Sequence, residues 1–284
     1  MLAACGGGGG NGVVRNPDLP SPLSTSQDLT GLTAPTTVPV GSVARMTTAS
    51  GGYTPLVAFS NAPTLRVAIA TLGIDDTFTQ ADLLSTTVIG GVQMPTLVRA
   101  GGGTSRRVTY LLPASSGLSL RFSSLGIWDR ADITTGVILD TAAISFGNRT
   151  LGADIPTVGT ATYSGFALGN AIEAGGQQFS VTALATATAD FQARSVILAT
   201  ANSAKTNRAT GALVADAGYN VTGALVYSAG VNALSGSVTS ANGKTGTASG
   251  AFYGPQAAEL GVTFQLTSTG GTLPFVGGAA LKKQ

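Results

Sequence analysis

Hydrophobic and polar positions alternate with a period of two through much of the C-terminal half of the chain. Phe179, Val181, Ala183, Ala185, Ala187, Ala189 and Phe191 fall on one face, opposed mostly by Ser180, Thr182, Thr186, Thr188 and Asp190. Successive side chains of a strand point to opposite sides, so this pattern predicts strands with one buried face. Val262, Phe264 and Leu266 alternate with Thr263, Gln265 and Thr267 in the same way. So do Gly246, Ala248, Gly250 and Phe252 with Thr245, Thr247, Ser249 and Ala251. Roughly eight such segments, with Gly or Asn between them, predict a sandwich or a closed barrel. The small inward residues suit a tight barrel better than a roomy cavity. A membrane-spanning barrel would need larger lipid-facing side chains and aromatic girdles. With only 6% aromatic residues, a soluble barrel is expected.

Upstream, from Val40 to about Ser116, the pattern is mixed. Leu65–Ala70 and Arg107–Leu112 read as strands. Thr79 followed by Asp82 predicts a capping box for a short helix running through Leu83 and Leu84. Gly101-Gly102-Gly103 predicts a hairpin turn. Before Val40, a glycine run from Gly6 to Gly10 and a Pro-, Ser- and Thr-rich stretch to Pro39 predict a flexible spacer. The glycine run lacks the following Lys-Ser/Thr and strand–helix setting of a phosphate loop.

Composition narrows the chemistry. The 284 residues include no histidine and a single cysteine, Cys5. Histidine-based triads, His-ligated zinc, a His axial ligand for haem and an internal disulfide are all excluded. The two Glu and eleven Asp are mostly isolated near turns, and the four Lys are assigned to loops or the C-terminal tail. No catalytic residues, metal ligands or cofactor are therefore expected, and the chain reads as a binding protein, not an enzyme. A net charge of +2, with Arg106-Arg107 and Lys282-Lys283 the only basic doublets, argues against nucleic acid as a partner. No apolar run is long enough for a membrane-spanning helix. Leu2-Ala3-Ala4-Cys5 instead reads as a bacterial lipobox, which makes Cys5 the acylation site and a lipid anchor the route to a membrane.

Candidate contact residues are few. Trp128, flanked by Asp129, Arg130 and Asp132, combines residue types that dominate binding hot spots, although packing of Trp128 between the handle and the barrel is the favoured role. Arg106 and Arg107, near Tyr110, could meet an anionic ligand or partner, or form a solvated strand end. Tyr53, Tyr163, Tyr219 and Tyr227 could serve as phenolate ligands to iron or haem, but nothing pairs them and structural roles are expected. Glu259 reads as a turn-stabilising carboxylate.

One segment is distinctive. Gly250-Ala251-Phe252-Tyr253-Gly254-Pro255-Gln256-Ala257-Ala258-Glu259-Leu260-Gly261 resembles the signature of the C-terminal barrel of transferrin-binding protein B and its relatives. Gly159–Gly165 resembles the strand that opens that barrel, Asp190-Phe191 its paired strand, and Phe275–Lys282 its closing strand. Ser123–Trp128 fits what precedes the barrel in many relatives. Val262 stands where the motif usually has a second Gly. Within the motif, Gly254-Pro255 is expected to turn sharply, Phe252 to plug the barrel and Tyr253 to face outward with a solvated hydroxyl.

The resemblance implies an all-β chain with at most a short helix. A lipobox and tether occupy 1–39, a handle-like β-rich domain 40–156, and a soluble eight-stranded antiparallel barrel 157–284. It also implies an outer-membrane lipoprotein, exposed at the cell surface, that binds an extracellular ligand or partner protein. Relatives capture host transferrin, haem carriers or complement factors, several beside a TonB-dependent transporter, so iron, haem or another scarce nutrient is the expected object. An adhesin-like surface protein and a small-ligand carrier using the barrel interior are the alternatives.

Overall fold

The computed structural model describes residues 27–28, 32–37, 56–58, 64–69 and 74–284, apart from 114 and 272. Cys5, Tyr53 and the glycine run lie outside the described residues. Among those described, the chain is almost entirely β-structure, and its helical elements are single 3-10 turns.

The handle is two sheets. A small sheet orders β1 (Gln27–Asp28), β3 (Leu56–Ala58), β4 (Thr64–Ile69) and β5 (Ile74–Phe78). A larger one runs β2 (Leu32–Thr37), β10 (Ile138–Gly147), β9 (Ser123–Asp132), β8 (Thr104–Tyr110), β7 (Val92–Gly101) and β6 (Leu83–Ile89). Two segments that composition places in the spacer are thus strands of the handle: β1 and β2. Pro35 is accommodated because β2 is an edge strand, where a missing ladder N–H costs little.

The helix expected after Thr79 is also corrected. Thr79 N–H and its hydroxyl do bond Asp82 Oδ2, at 2.7 and 3.1 Å, but the turn stops at Asp82 and Leu83–Ile89 is a strand. Its Thr86-Thr87-Val88-Ile89 run is β-branched, and those side chains favour the pleated sheet. The Gly turn closes the β7–β8 hairpin as expected, with Gly102 and Gly103 both at positive φ (58° and 73°).

The barrel has eight antiparallel strands: β11 (Thr160–Ile172), β12 (Gln178–Asp190), β13 (Ser195–Asn207), β15 (Val221–Val226), β16 (Leu234–Ser240), β17 (Thr245–Tyr253), β18 (Glu259–Thr267) and β19 (Phe275–Lys283). Pairing of β12 with β13 closes it, and β19 is inserted between β11 and β18. The short β14 (Leu213–Ala215) pairs antiparallel with the end of β13, from Ala204 to Thr206. Strand β12 alternates as the sequence requires, with Phe179, Val181, Ala183, Ala185, Ala187 and Ala189 buried between more exposed neighbours. Val262 at the motif's usual Gly position points inward and is fully buried. It pairs with Gly250, whose missing side chain leaves the room.

The handle's larger sheet lies on the barrel wall. Leu125, Ile127, Ala143 and Met94 of the sheet pack against Phe166 and Leu168 of β11 and Val276 and Ala280 of β19. Both faces of β18 are consequently covered, and Thr263, outward from the barrel, is as buried as its inward neighbours. Tyr253 also points outward, but into this contact. It is fully buried and its hydroxyl meets Ser145 Oγ at 3.1 Å, so the expected solvated hydroxyl is corrected. Burial, partly offset by the Ser145 bond, holds that phenol above its ordinary pKa.

Candidate functional site

Aromatic and apolar side chains pack the barrel interior. Phe252 is fully buried at one end, its ring 5.6–6.3 Å from those of Tyr163, Phe191 and Tyr227. At the other end, Phe275 contacts Tyr219 edge-on at 5.1 Å, and Lys205 bridges Glu173 and Asp216 across the mouth. Between these layers, a void of about 10 Å³ lined by Ala167, Val181, Tyr219 and Phe264 holds one water at most. Tyr163 and Tyr219 are unsuited to bind iron as phenolates. Tyr163 donates to Ala257 O and Tyr219 to Glu173, and burial pushes both phenols well above their ordinary pKa. Among the described residues no group of three His, Cys, Asp or Glu could hold a metal ion.

The surface residues divide between the two faces of the handle's larger sheet. Arg106 and Arg130 come together on the outer face. The register sets Arg99 opposite Arg106 and Arg106 opposite Arg130, so three guanidiniums form a row across β7, β8 and β9. Like charges directly opposite are unfavourable, and carboxylates answer each one. Asp76 on the small sheet, 6% exposed, pairs with Arg106 at 3.3 Å; Arg130 pairs with Asp140; Arg99 lies 4.0 Å from Asp82. The arginine side chains remain 36–48% exposed above acids that are far more buried. Burial raises the Asp76 pKa, opposed by the Trp128 hydrogen bond and by Arg106, Arg99 and Arg130.

Trp128 has no surface to offer a partner. It is fully buried among Leu65, Val67, Phe78 and Val108, between the handle's two sheets, and its Nε1–H donates to Asp76 at 3.0 Å. Nor does it pack handle on barrel, because it projects from the sheet face turned away from the barrel. Its role here is to hold the Asp76 carboxylate beneath Arg106. Asp132 instead closes the β9–β10 turn, accepting from the Thr134 and Thr135 amides.

Arg107, the remaining candidate, is on the opposite face, at the seam with the barrel. It pairs in register with Asp129, and both project barrelward. Arg208, from the β13–β14 loop, forks onto Asp129 with bonds of 2.9 and 3.0 Å, while Asn170 of β11 donates to Thr141 at 3.1 Å. Sequence reasoning missed Arg208, an isolated basic residue in a loop whose partner is 79 positions away. It also placed Lys205 in a loop, although it belongs to β13.

The signature segment builds the rest of this seam. Glu259, 1% exposed, accepts from the Arg121 and Phe122 amides at 2.6 and 3.1 Å and from Ser123 Oγ at 2.7 Å. It therefore ties the segment entering β9 to the barrel, a longer reach than a local turn. Gly254 has φ +71°, and a Cβ there would meet the Phe122 ring at 2.4 Å. A Cβ on Gly261 would meet Ser145 Oγ at 2.0 Å. Gly254 and Gly261 thus lie where handle and barrel approach too closely for a side chain.

Residues 155–281 match the family model described as the C-lobe and N-lobe beta barrels of Tf-binding protein B. No curated protein matches the sequence significantly. Among solved structures, transferrin-binding protein B of Haemophilus parasuis, a vaccine antigen solved as a double mutant, is 17% identical with a TM-score of 0.49 over 85% of this chain and 48% of its own. The isotype 1 protein of serogroup B Neisseria meningitidis is 14% identical with a TM-score of 0.42, covering 83% of this chain and 52% of its own. A structure described as a surface lipoprotein is 13% identical, with a TM-score of 0.37, over 58% of this chain and 77% of its own. The chain spans about half the length of the first two. Residues 155–281 thus form a β-barrel similar to those of transferrin-binding protein B.

Proposed function

We propose that this chain is a lipid-anchored surface protein of the bacterial outer membrane that binds an extracellular ligand or partner protein, as an accessory to TonB-dependent uptake of iron, haem or another scarce nutrient. The observation that carries the reading is the family match of residues 155–281 to a barrel whose interior is filled. Such a barrel works as a scaffold, and recognition falls to its loops and to the handle's outer face, where Arg99, Arg106 and Arg130 are exposed. A filled interior also disfavours the carrier alternative, which needs a chamber of several hundred Å^3.

The test has two arms. Metabolic labelling with an alkynyl fatty acid should tag the native protein and leave Cys5→Ala unlabelled. On intact cells, added protease should digest the native protein, and crosslinking should join it to a TonB-dependent transporter or an extracellular protein. Equal labelling of both forms, or full protection from protease, would overturn the anchor and the surface placement respectively.

A further inference from the structure

We infer that the seam between handle and barrel holds a binding site for a small oxyanion of the carboxylate or phosphate class, with Arg107 as its principal ligand. The site lies on the face of the sheet opposite the proposed partner surface and does not depend on that reading.

Arg107 and Asp129 face each other across β8 and β9 and project from the same side. In a closed account they would pair. Arg208 instead occupies both carboxylate oxygens from the barrel side, at 2.9 and 3.0 Å, and both partners of that pair are buried, with side chains 10% and 4% exposed. Arg107 is left over. Its Nε is buried without a hydrogen-bond partner, and among the described residues no ion pair engages its guanidinium.

The local charge count is two guanidiniums against one carboxylate. Burial lowers the Arg107 pKa, Asp129 opposes that, and Arg208 adds to it. An unpaired buried donor on a cation is costly, and an arginine cannot escape by losing its proton. An incoming oxyanion would satisfy Nε–H and balance the excess charge at once. Guanidinium presents parallel N–H donors, which fit the two oxygens of a carboxylate or two of a phosphate. The Arg106–Asp76 and Arg130–Asp140 pairs on the other face each have an acid of their own, whereas at the seam one acid faces two guanidiniums.

The experiment titrates the full chain with sodium acetate, and separately with inorganic phosphate, at an ionic strength held constant with chloride while thermal melting is followed. The expected result is a saturable rise in melting temperature for the native protein. Arg107→Gln should abolish it, and Arg107→Lys, which keeps charge but loses the fork, should weaken binding at least about tenfold. Arg194→Gln, in the β12–β13 turn, should leave the titration unchanged. A response to phosphate alone would identify a phosphate site, and to both a general oxyanion site. No saturable response in the native protein, or one that survives Arg107→Gln, would overturn the inference. Should Arg107→Gln fail to fold, the Arg107→Lys comparison decides alone, and unaltered affinity there overturns it.

Discussion

Replacing Phe252 by alanine tests whether the barrel is a packed scaffold. The ring is fully buried and sits among three other aromatic rings, so its removal opens a hole in the core that the surroundings fill only in part. Losing ~100 Å^2 of buried apolar surface at ~25 cal/mol per Å^2 costs ~2.5 kcal/mol. A residual cavity of ~60 Å^3, at ~24 cal/mol per Å^3, adds ~1.5 kcal/mol. The sum, ~4 kcal/mol, lies in the range found for Phe→Ala in cores and is a large part of a typical ~5–15 kcal/mol domain stability. Urea denaturation of the two proteins should show the midpoint falling at an unchanged slope. Binding to a crosslinked partner, measured on the folded fraction, should stay nearly constant. A loss below ~1.5 kcal/mol would refute the packed interior. Lost binding without lost folding would show that the interior takes part in recognition.

Two further outcomes follow from the seam. Arg208→Met should destabilise the protein, but by less than the ~3–5 kcal/mol of a fully stranded buried carboxylate because Arg107 lies opposite Asp129, and Asp129→Asn in the same background should recover part of that loss in denaturant melts. Burial holds the Glu259 pKa above its ordinary value, with the Arg121, Ser123 and Phe122 bonds opposing. A raised folded pKa means the folded state keeps the proton longer. The stabilising contribution is complete below the unfolded pKa, near 4.5, and is lost as pH rises through the folded value. Relative to Glu259→Gln, the native protein should therefore gain stability on acidification through this window; a relative loss would reverse the assignment.

The barrel was legible because its strands obey one rule without interference. On β12 every second residue from Phe179 to Ala189 is buried, and the outer face is free, so a period of two survives in the sequence. Legibility fades where the handle covers the wall. Thr263 and Glu259 look like outward polar residues, and Tyr253 like a solvated phenol, until a second layer buries all three. Alternation reports the two sides of a strand but not what lies over them. Neither a contact role nor packing between handle and barrel fits Trp128, because adjacent strand residues face opposite ways. Asp129 turns to the barrel while Trp128 turns to the small sheet. The aborted helix at Thr79 shows local and wider preferences in competition: the capping bonds form, and the β-branched run that follows still takes the chain into a strand. Arg208 left no local trace, because its meaning depends on a partner in another domain.

The place of β19 in the sheet governs how the molecule can assemble. This strand is the last of the eight in sequence, yet it stands between β11, the first, and β18. Until it arrives, β11 and β18 present two raw edges, and Phe166 and Leu168 have no Val276 or Ala280 beside them to complete the wall on which the handle rests. A chain emerging in sequence order therefore cannot finish either domain contact early. Its growing intermediates carry open strands and exposed apolar surface, the state in which β proteins are most prone to pair with the wrong neighbour. Such a chain depends on being kept apart from its copies until it is whole. Its low charge, 10% of residues, gives it little electrostatic repulsion with which to do so unaided.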